Sequence, residues 1–533
     1  MKKLFIIILF LGLVISLACI YQIKNNKRIN SEIILSEGEY IFKDDFYVPE
    51  KKTLIIKPGA NLKIGRGASI IVEGKIIARG TKEKPITFSS YDDYWRGIKI
   101  IGKQRKLDLD NYKKALKGKE IENTDFLKSF ENSNIFLYCT FKNLATNQVR
   151  DVANRKKAVL EVKNSSLVVS HSKFEDIVHM GVIQTENSFL LINHSEFLSE
   201  MVMKVIHPIN SVAVIHDNLI EPKRYEYQTW PDGVFVNAGI GIVVNNSFDG
   251  LSDDAIDFDG SLAYIFGNSI KKTFDDGIDI DNKTEAYIID NKIEDISEGG
   301  VLVSNQSKAF LFNNNITKTE HGIVLRNGGK VFADNLTIDK SKIGILIYQG
   351  IPLILTEEDF QNVKKEVSSI SKEEMNGIGI YEVNSPQDLG DLLEKTYTTY
   401  KGYRIINNSV EQSDTYFGLF LFLKKTLKLV NSLELGGNNY DTFKKLGLDN
   451  DFLNKYNNSL YIKNSEIKNV LDDLILKKPY HIKMENVGLK TKKYNMEEGE
   501  DIKNFITEEE VNNVGNQKRY IEELIKKINL ITI

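Results

Sequence analysis

Four short stretches decide the fold: Asn246-Ser-Phe248, Asn268-Ser-Ile270, Asn291-Lys-Ile293 and Asn314-Asn-Ile316. They extend a series that begins at Cys139-Thr-Phe141 and runs through Ser172-Lys-Phe174, Ser195-Glu-Phe197 and Asn218-Leu-Ile220. From Phe174 the steps between the closing apolar residues are 23, 23, 28, 22, 23 and 23. An alternating strand precedes each motif, for example Ser261 to Phe266 and Gln306 to Leu311. About seven residues later comes a second short strand, as in Gly277-Ile-Asp-Ile-Asp281, Gly300-Val-Leu-Val-Ser304, Gly322-Ile-Val-Leu-Arg326 and Gly344-Ile-Leu-Ile-Tyr348. A fixed period of this size with several short strands per period is a solenoid signature, and the fixed leucine pattern of leucine-rich repeats is absent.

The expected fold is all-β, a right-handed parallel β-helix with inserted loops and helices and a C-terminal helical cap. Coils stacked at about 4.8 Å bring equivalent side chains into columns. Asparagine tolerates a left-handed turn and can hydrogen-bond along such a stack, so the Asn/Ser column reads as a structural ladder. Cys139, in the same column, reads as a small buried hydrophobe. The opening coils are Leu54-Ile-Ile-Lys-Pro-Gly59, Leu62-Lys-Ile-Gly65, Ile70-Ile-Val-Glu-Gly74, Ile76-Ile-Ala-Arg-Gly80, Pro85-Ile-Thr-Phe88 and Trp95-Arg-Gly-Ile98. This succession resembles secreted β-helix proteins of the pectate-lyase-like superfamily over roughly residues 48 to 350. That superfamily hosts lyases, hydrolases, epimerases and adhesins, so the resemblance implies a fold and leaves activity open.

The expected organisation is a signal or lipoprotein peptide at 1–19, a linker and cap at 20–47, and the β-helix at 48–350. A partly helical insertion follows at 351–402, irregular coils at 403–490 and a helical segment at 491–533. Insertions interrupt the coils at 102–132, 144–157 and 221–232. Strand-like pieces recur at Tyr403–Val410, Phe417–Phe422 and Leu460–Ile467. Near the end, Val511, Tyr520, Leu524 and Ile528 have helical apolar spacing. A helix there would cover an exposed solenoid end.

The 533 residues are 42% hydrophobic and 27% charged, ordinary for a globular protein and unlike a disordered one. Lys+Arg is 70 against Asp+Glu 73, so no basic field points to nucleic acid. Two cysteines exclude a disulfide scaffold and a Cys-based zinc module. Lys2 and Lys3 precede an apolar run from Leu4 to Leu17, and Ala18 precedes Cys19. This reads as an export signal, too short for a comfortable membrane span. Ser16-Leu17-Ala18-Cys19 resembles a bacterial lipobox, in which the cysteine is lipidated. A cleaved secreted protein and an uncleaved anchor are the alternatives.

The densest chemistry is Asp253-Asp-Ala-Ile-Asp-Phe-Asp259, repeated 22 residues on as Asp275-Asp-Gly-Ile-Asp-Ile-Asp281. Strand alternation turns Ile256, Phe258, Ile278 and Ile280 inward and Asp257, Asp259, Asp279 and Asp281 outward. Asp257 should lie beside Asp279 and Asp259 beside Asp281, with Asp253, Asp254, Asp275 and Asp276 on the adjoining turns. From Asp249 to Asp281 there are nine carboxylates against Lys271 and Lys272. Like charges directly opposite each other destabilise a sheet. A hard cation such as Ca²⁺, which takes six to eight oxygens, would offset them; a solvated acidic face is the plainer reading.

The Asp-Asp-x-x-Asp element resembles the calcium site of family-nine pectate lyases and the Asp-rich β-helix beside spore-coat-kinase-like domains. The lyase resemblance implies Ca²⁺ on a uronate carboxylate and a Lys as base. No base matches cleanly; the candidates are Lys292, Lys318, His321 (in the turn position of Asp276) and Arg326 (in the column of Asp281). Gly-His-Gly with Arg-Ile-Lys, expected of polygalacturonases, is absent, as is the Asp-Pro-His-Glu of alginate epimerases. Tyr225, Tyr227 and Trp230 precede the coil of Asn237, the expected neighbour of Asp259, and could form a sugar-stacking wall or simply pack their loop. His171, His194 and Asp217 form a weaker outward column, a transition-metal site or plain surface.

The expected function is an exported, lipid-anchored protein that binds polysaccharide or a cell-surface partner without catalysis, with Ca²⁺-dependent polysaccharide lyase as the alternative. The anchor is testable on its own. Cys19→Ser should move the protein from the membrane fraction to the soluble fraction and abolish lipid labelling; unchanged membrane association would favour an uncleaved helical anchor.

Overall fold

The computed structural model describes residues 31–92, 94–103, 107–121, 126–145, 158–178, 181–198, 204–222, 232–348, 457–476, 480–489, 492–498 and 508–532. The signal region with Cys19, the insertion at 351–402, and the pieces Tyr403–Val410 and Phe417–Phe422 lie outside them. The chain divides into two compact units, Met1–Thr229 with Ile525–Ile533, and Trp230–Leu524. Each is a parallel β-helix.

In the first unit, in-register parallel pairs stack coil on coil: Glu32–Leu35 on Thr53–Ile56, Ser166–Ser170 on Phe189–Asn193, and that strand on Val212–His216. Stacking superposes like on like. Phe88, Phe141, Phe174 and Phe197 form a near-parallel column with ring centroids 4.9, 4.8 and 4.9 Å apart. The first half of the motif ladder follows the sequence reading: the Cys139 amide donates to Ser172 Oγ (3.1 Å), Ser172 N to Ser195 Oγ (3.1 Å) and Ser195 N to Asn218 Oδ1 (2.9 Å). Cys139 is buried, and burial pushes its thiol pKa up. The inserted helix Leu109–Gly118 starts at Asp108, whose side chain caps the Asn111 amide at 3.1 Å. It buries Tyr112, whose ring packs on Phe126 and Phe189.

In the second unit the ladder is all asparagine. Asn246 donates both N and Nδ2 to Asn268 Oδ1 (2.9 and 3.1 Å), Asn268 likewise to Asn291 (2.9 and 3.0 Å), and Asn291 to Asn314 (3.0 and 3.0 Å). Each of the four is at most 3% exposed, so these amides satisfy buried backbone that no strand reaches. The left-handed conformation expected of them belongs one residue earlier, to Asn245 (φ 54°), Gly267 (65°), Asp290 (57°) and Asn313 (56°). The turn therefore divides the work: one residue bends the chain and the next ties it to the following coil. Tyr264, Tyr287 and Phe310 stack at 5.2 and 5.1 Å.

Lys330–Asp334 pairs in parallel with Asn458–Lys463, and Ile343–Tyr348 with Asp472–Leu476. The chain between Tyr348 and Asn457 thus enters between two coils that are hydrogen-bonded neighbours. The ladder ends in one antiparallel pair, Tyr480–Leu489 with Lys492–Glu498. The terminal helix is Glu508–Thr532. Its buried stripe is Val514, Gln517, Ile521, Leu524, Ile525 and Ile528, rotated from the expected one, with Val511 and Tyr520 at its margin. Within the second unit Lys518 pairs with Asp290, and Lys308 Nζ donates to Glu510 at 2.7 Å. Among the described residues no helix is long and apolar enough to cross a membrane.

The ladder predicts an asymmetry. Asn268→Ala strands buried donors on Asn246 and should lower the unfolding free energy by about 2–3 kcal/mol. Asn313→Gly, at an exposed left-handed turn, should change it by less than about 1 kcal/mol. Urea denaturation of the two variants checks the difference.

Candidate cation site on the aspartate rungs

The strands Ile256–Asp259 and Ile278–Asp281 are adjacent parallel rungs, and their register sets Asp257 against Asp279 and Asp259 against Asp281, as the sequence implied. Isoleucine and phenylalanine at alternate positions are fully buried, which fixes the aspartates on the opposite face. The preceding turns carry Asp253-Asp254 and Asp275-Asp276. There the structure departs from a solvated face: Asp254 and Asp276 are only 8% and 6% exposed. Each uses one oxygen to hold the next coil. The Asp276 amide donates to Asp254 Oδ1 at 2.8 Å, and the Gly299 amide to Asp276 Oδ1 at 2.6 Å. A Cβ at 299 would come 2.4 Å from that oxygen, so glycine there leaves the carboxylate its place.

Two groups of carboxylates have ligand oxygens within 4.8 Å of one another: Asp232, Asp254 and Asp257, and Asp253, Asp254 and Asp275. They share Asp254. Asp259 and Asp281, also on the sequence list, are engaged otherwise. Asp259 Oδ2 accepts from Asn237 Nδ2 at 3.3 Å, and Asp281 Oδ1 accepts from Ser304 Oγ at 2.8 Å and the Asn282 amide at 2.6 Å. Asp279 Oδ1 is buried without a hydrogen-bond partner.

The electrostatics follow from this crowding. Burial first, then the neighbouring carboxylates, raises the pKa of Asp254 well above the carboxylate range (Asp279 and Asp276 lead). Burial also leads for Asp276 and Asp279, followed by Asp275 and Asp281 respectively. Glu298 keeps solvent contact, yet partial burial and a hydrogen bond with Asp275 push it up to about 7. Burial works against the charge of Arg326, but Tyr348, Asp279 and Asp281 outweigh it and keep the guanidinium protonated.

The sequence reading missed Asp232 and Glu298. Glu298 was visible: Asp253-Asp254, Asp275-Asp276 and Glu298-Gly299 follow Ser252, Phe274 and Ser297 at the coil period. Asp232 was hidden by the irregular 28-residue step before it. Of the candidate bases, Lys292 and Lys318 are taken up by Glu294, at 3.3 and 2.9 Å, in the ladder of Ser269–Lys271. Arg326 stays protonated and so cannot take up a proton. His321 pairs in register with Gly299, in the column of Asp276, and burial lowers its pKa, leaving the imidazole neutral at neutral pH. Tyr225, Tyr227 and Trp230 lie outside the described residues.

In the first unit the His171 and His194 rings lie 4.8 Å apart, tilted by 41°, on the same column as Asp217, all three at left-handed turns. The unforeseen member is His216, 1% exposed, whose Nδ1 lies 2.7 Å from Asp217 Oδ2 and Nε2 3.2 Å from Asn529 Oδ1. His171 Nδ1 is 2.8 Å from Ser170 Oγ. These partners tie the column to its own turns and, through His216, to Asn529 of the terminal helix.

Residues 232–385 match the family model described as right handed beta helix region. With the parallel ladder, this defines a right-handed parallel β-helix. No curated protein matches the sequence. Among solved structures, the periplasmic alginate epimerase AlgG is similar over 86% of this chain and 83% of its own, at 10% identity and a TM-score of 0.42. The A-module of the Azotobacter vinelandii mannuronan C-5 epimerase AlgE4 is similar over 59% and 82%, at 12% identity and a TM-score of 0.25. The catalytic domain of a GH87 alpha-1,3-glucanase is similar over 60% and 61%, at 12% identity and a TM-score of 0.28.

Raised carboxyl pKa values make a signed prediction. A carboxyl whose pKa is higher in the fold adds stability at pH below its unfolded value, and that stability is lost as pH rises through the folded value. In chelator, the melting temperature should therefore fall as pH is raised from about 5 to about 8, the window set by the ordinary carboxyl range and Glu298. Asp254→Asn should flatten that slope in thermal scans.

Proposed function

We propose that this chain is an exported β-helix protein that binds anionic polysaccharide through a divalent cation held by Asp232, Asp253, Asp254, Asp257 and Asp275, without chemical conversion of the glycan. The observation that carries the reading is the pair of three-carboxylate groups meeting at Asp254. Their donors are all hard oxygens, which suits Ca²⁺ and disfavours softer metals. The orphaned Asp279 oxygen and the raised carboxyl pKa values support the same reading, because a divalent cation would offset the mutual repulsion of the carboxylates. Arg326 offsets Asp279 and Asp281 at one end of the rungs.

A bound Ca²⁺ would supply positive charge and open coordination positions to a sugar carboxylate. The protein's own part is to hold the carboxylates on successive rungs, with spacing fixed by the ladder rather than by flexible loops. Export follows from the reading of the first 19 residues, with Cys19 as the proposed lipid anchor to a membrane.

A lyase is the second reading, favoured by one observation: His321 is neutral and shares the column of Asp276. It would take the proton beside the uronate carboxylate.

Calorimetry with Ca²⁺ should show saturable binding, lost in Asp254→Asn. Ca²⁺ at a hundredfold excess over its dissociation constant should stabilise the wild type by about 2.7 kcal/mol. Oligogalacturonate or oligoguluronate should then bind only in the presence of Ca²⁺. Absence of Ca²⁺ binding at millimolar concentration removes both readings. Ultraviolet absorbance of an unsaturated uronate product, abolished by His321→Ala, would replace the binding reading with the lyase.

A further inference from the structure

We infer that the first coil of the solenoid rests in the interface of a lipid bilayer, with Ile34, Ile41 and Tyr47 as the side chains that enter it. The inference rests on the reading of Cys19 as a membrane anchor and names the surface of the folded body that meets the membrane.

The first coil consists of the strands Glu32–Leu35, Gly38–Phe42 and Phe46–Val48. Each starts its own parallel ladder, with Thr53–Ile56, Ala60–Ile64 and Ile70–Val72 respectively, so the three lie on different faces of the solenoid. Each turns one large apolar side chain outward: Ile34, Ile41 and Tyr47 are 54%, 45% and 47% exposed. Their neighbours Leu35 and Val48 point inward and are 7% and 0% exposed, so the three are not core residues laid bare at an open end. A single exposed apolar residue needs no explanation. Three on one coil, one to each face, do. On the described coils of the first unit the other large apolar side chains this exposed are Tyr91 and Ile101, and none comes after them.

The register shows how this apolar character fades along the solenoid. Ile34 lies over Ile55 and then Ile77, Ile41 over Lys63 and then Ser89, and Tyr47 over Ile71 and then Lys99. The first coil is apolar in all three columns, the second brings a lysine into one and the third a lysine into another. Lysine stems lie along apolar surface while their ammonium groups stay in water. The Tyr47 hydroxyl donates to Glu73 on the next coil. A tyrosine with an exposed ring and a polar tip suits the level of the headgroups. Acidic side chains around this coil are held by lysines: Glu39 by Lys63, Glu37 by Lys84 and Glu50 by Lys103, each at 2.7 Å.

Position and shape select the partner. Residues 20–30 separate Cys19 from the described body, and a chain of that length reaches at most about 40 Å. An anchor at Cys19 keeps the first coil within that distance of the bilayer. A rigid protein docks against one side, whereas side chains on three faces are engaged together by a medium into which the end sinks. Interfacial amphipathic helices sink about 5–10 Å into the headgroup boundary. At about 4.8 Å per coil, that depth is one to two coils, the span over which lysine enters the columns.

The test uses the full chain anchored in phosphatidylcholine vesicles, with an environment-sensitive fluorophore on one introduced cysteine. The positions are Ile34→Cys, Ile41→Cys and Tyr47→Cys, with Glu196→Cys at an exposed site on a later coil as reference. Cys139 is buried and takes no label, and the unsubstituted chain corrects for label on Cys19. Emission at 34, 41 and 47 should shift to the blue, lose quenching by iodide and gain quenching by brominated lipid tails, while position 196 stays open to iodide. Equal iodide quenching at all four positions of the anchored chain overturns the membrane contact and leaves the anchor standing. A chain that does not bind the vesicles overturns both. Protection at one of the three positions alone overturns the immersed end. Protection in native membranes but not in pure lipid assigns the rim to a protein and likewise overturns the lipid contact. Three positions keep the test decisive if one substitution fails to fold.

Discussion

Everything in this molecule depends on the parallel register between neighbouring coils. Parallel pairing at about 4.8 Å places each residue over its equivalent one period away, so any choice made at one position is repeated against itself. Phenylalanine on phenylalanine gains contact area, and Asn268 under Asn246 gains two hydrogen bonds. Aspartate on aspartate gains nothing and is repelled. The same geometry that makes the Asn column a support makes the Asp column a cost. Repulsion between unit charges at about 5 Å is appreciable even at an effective dielectric near 20.

The fold reduces that cost in three ways along the Asp rungs. Backbone amides at 276 and 299 are aimed at Asp254 and Asp276. Ser304 and Asn237 donate to the outer aspartates 281 and 259. Arg326 brings a full positive charge to Asp279 and Asp281. The ligand oxygens of Asp232, Asp253, Asp254, Asp257 and Asp275 crowd together at the other end, where a proton or a metal ion would serve. Two of these carboxylates, Asp254 and Asp276, are buried, and Gly299 in the next coil lies against Asp276 Oδ1.

The supports and the candidate site therefore use one device. In the Asn ladder a side-chain oxygen accepts a backbone amide from the coil before it. At Asp254 and Asp276 a side-chain oxygen accepts one from the coil after it. The difference is the charge, which the asparagine lacks. Substituting amides for these carboxylates would preserve the hydrogen bonds and remove the electrostatic demand. That the chain carries aspartate in both turns is the feature the solenoid does not need for its own sake.

By itself the sequence determined the period, the strands, the inward and outward faces, and the pairing of Asp257 with Asp279 and Asp259 with Asp281. Those follow from alternation and a constant repeat, both local properties of the chain. It also carried Glu298 in plain view, at the coil period from Asp275. It could not decide which aspartates would be enclosed, since burial depends on where the next turn passes. Nor could it bring in Asp232, which a 28-residue step takes off the period, or show that Glu294 claims Lys292 and Lys318. Partners across coils are chosen by side-chain reach and by competition among neighbouring charges. These exist only once the coils are stacked, and so only the tertiary structure decided them.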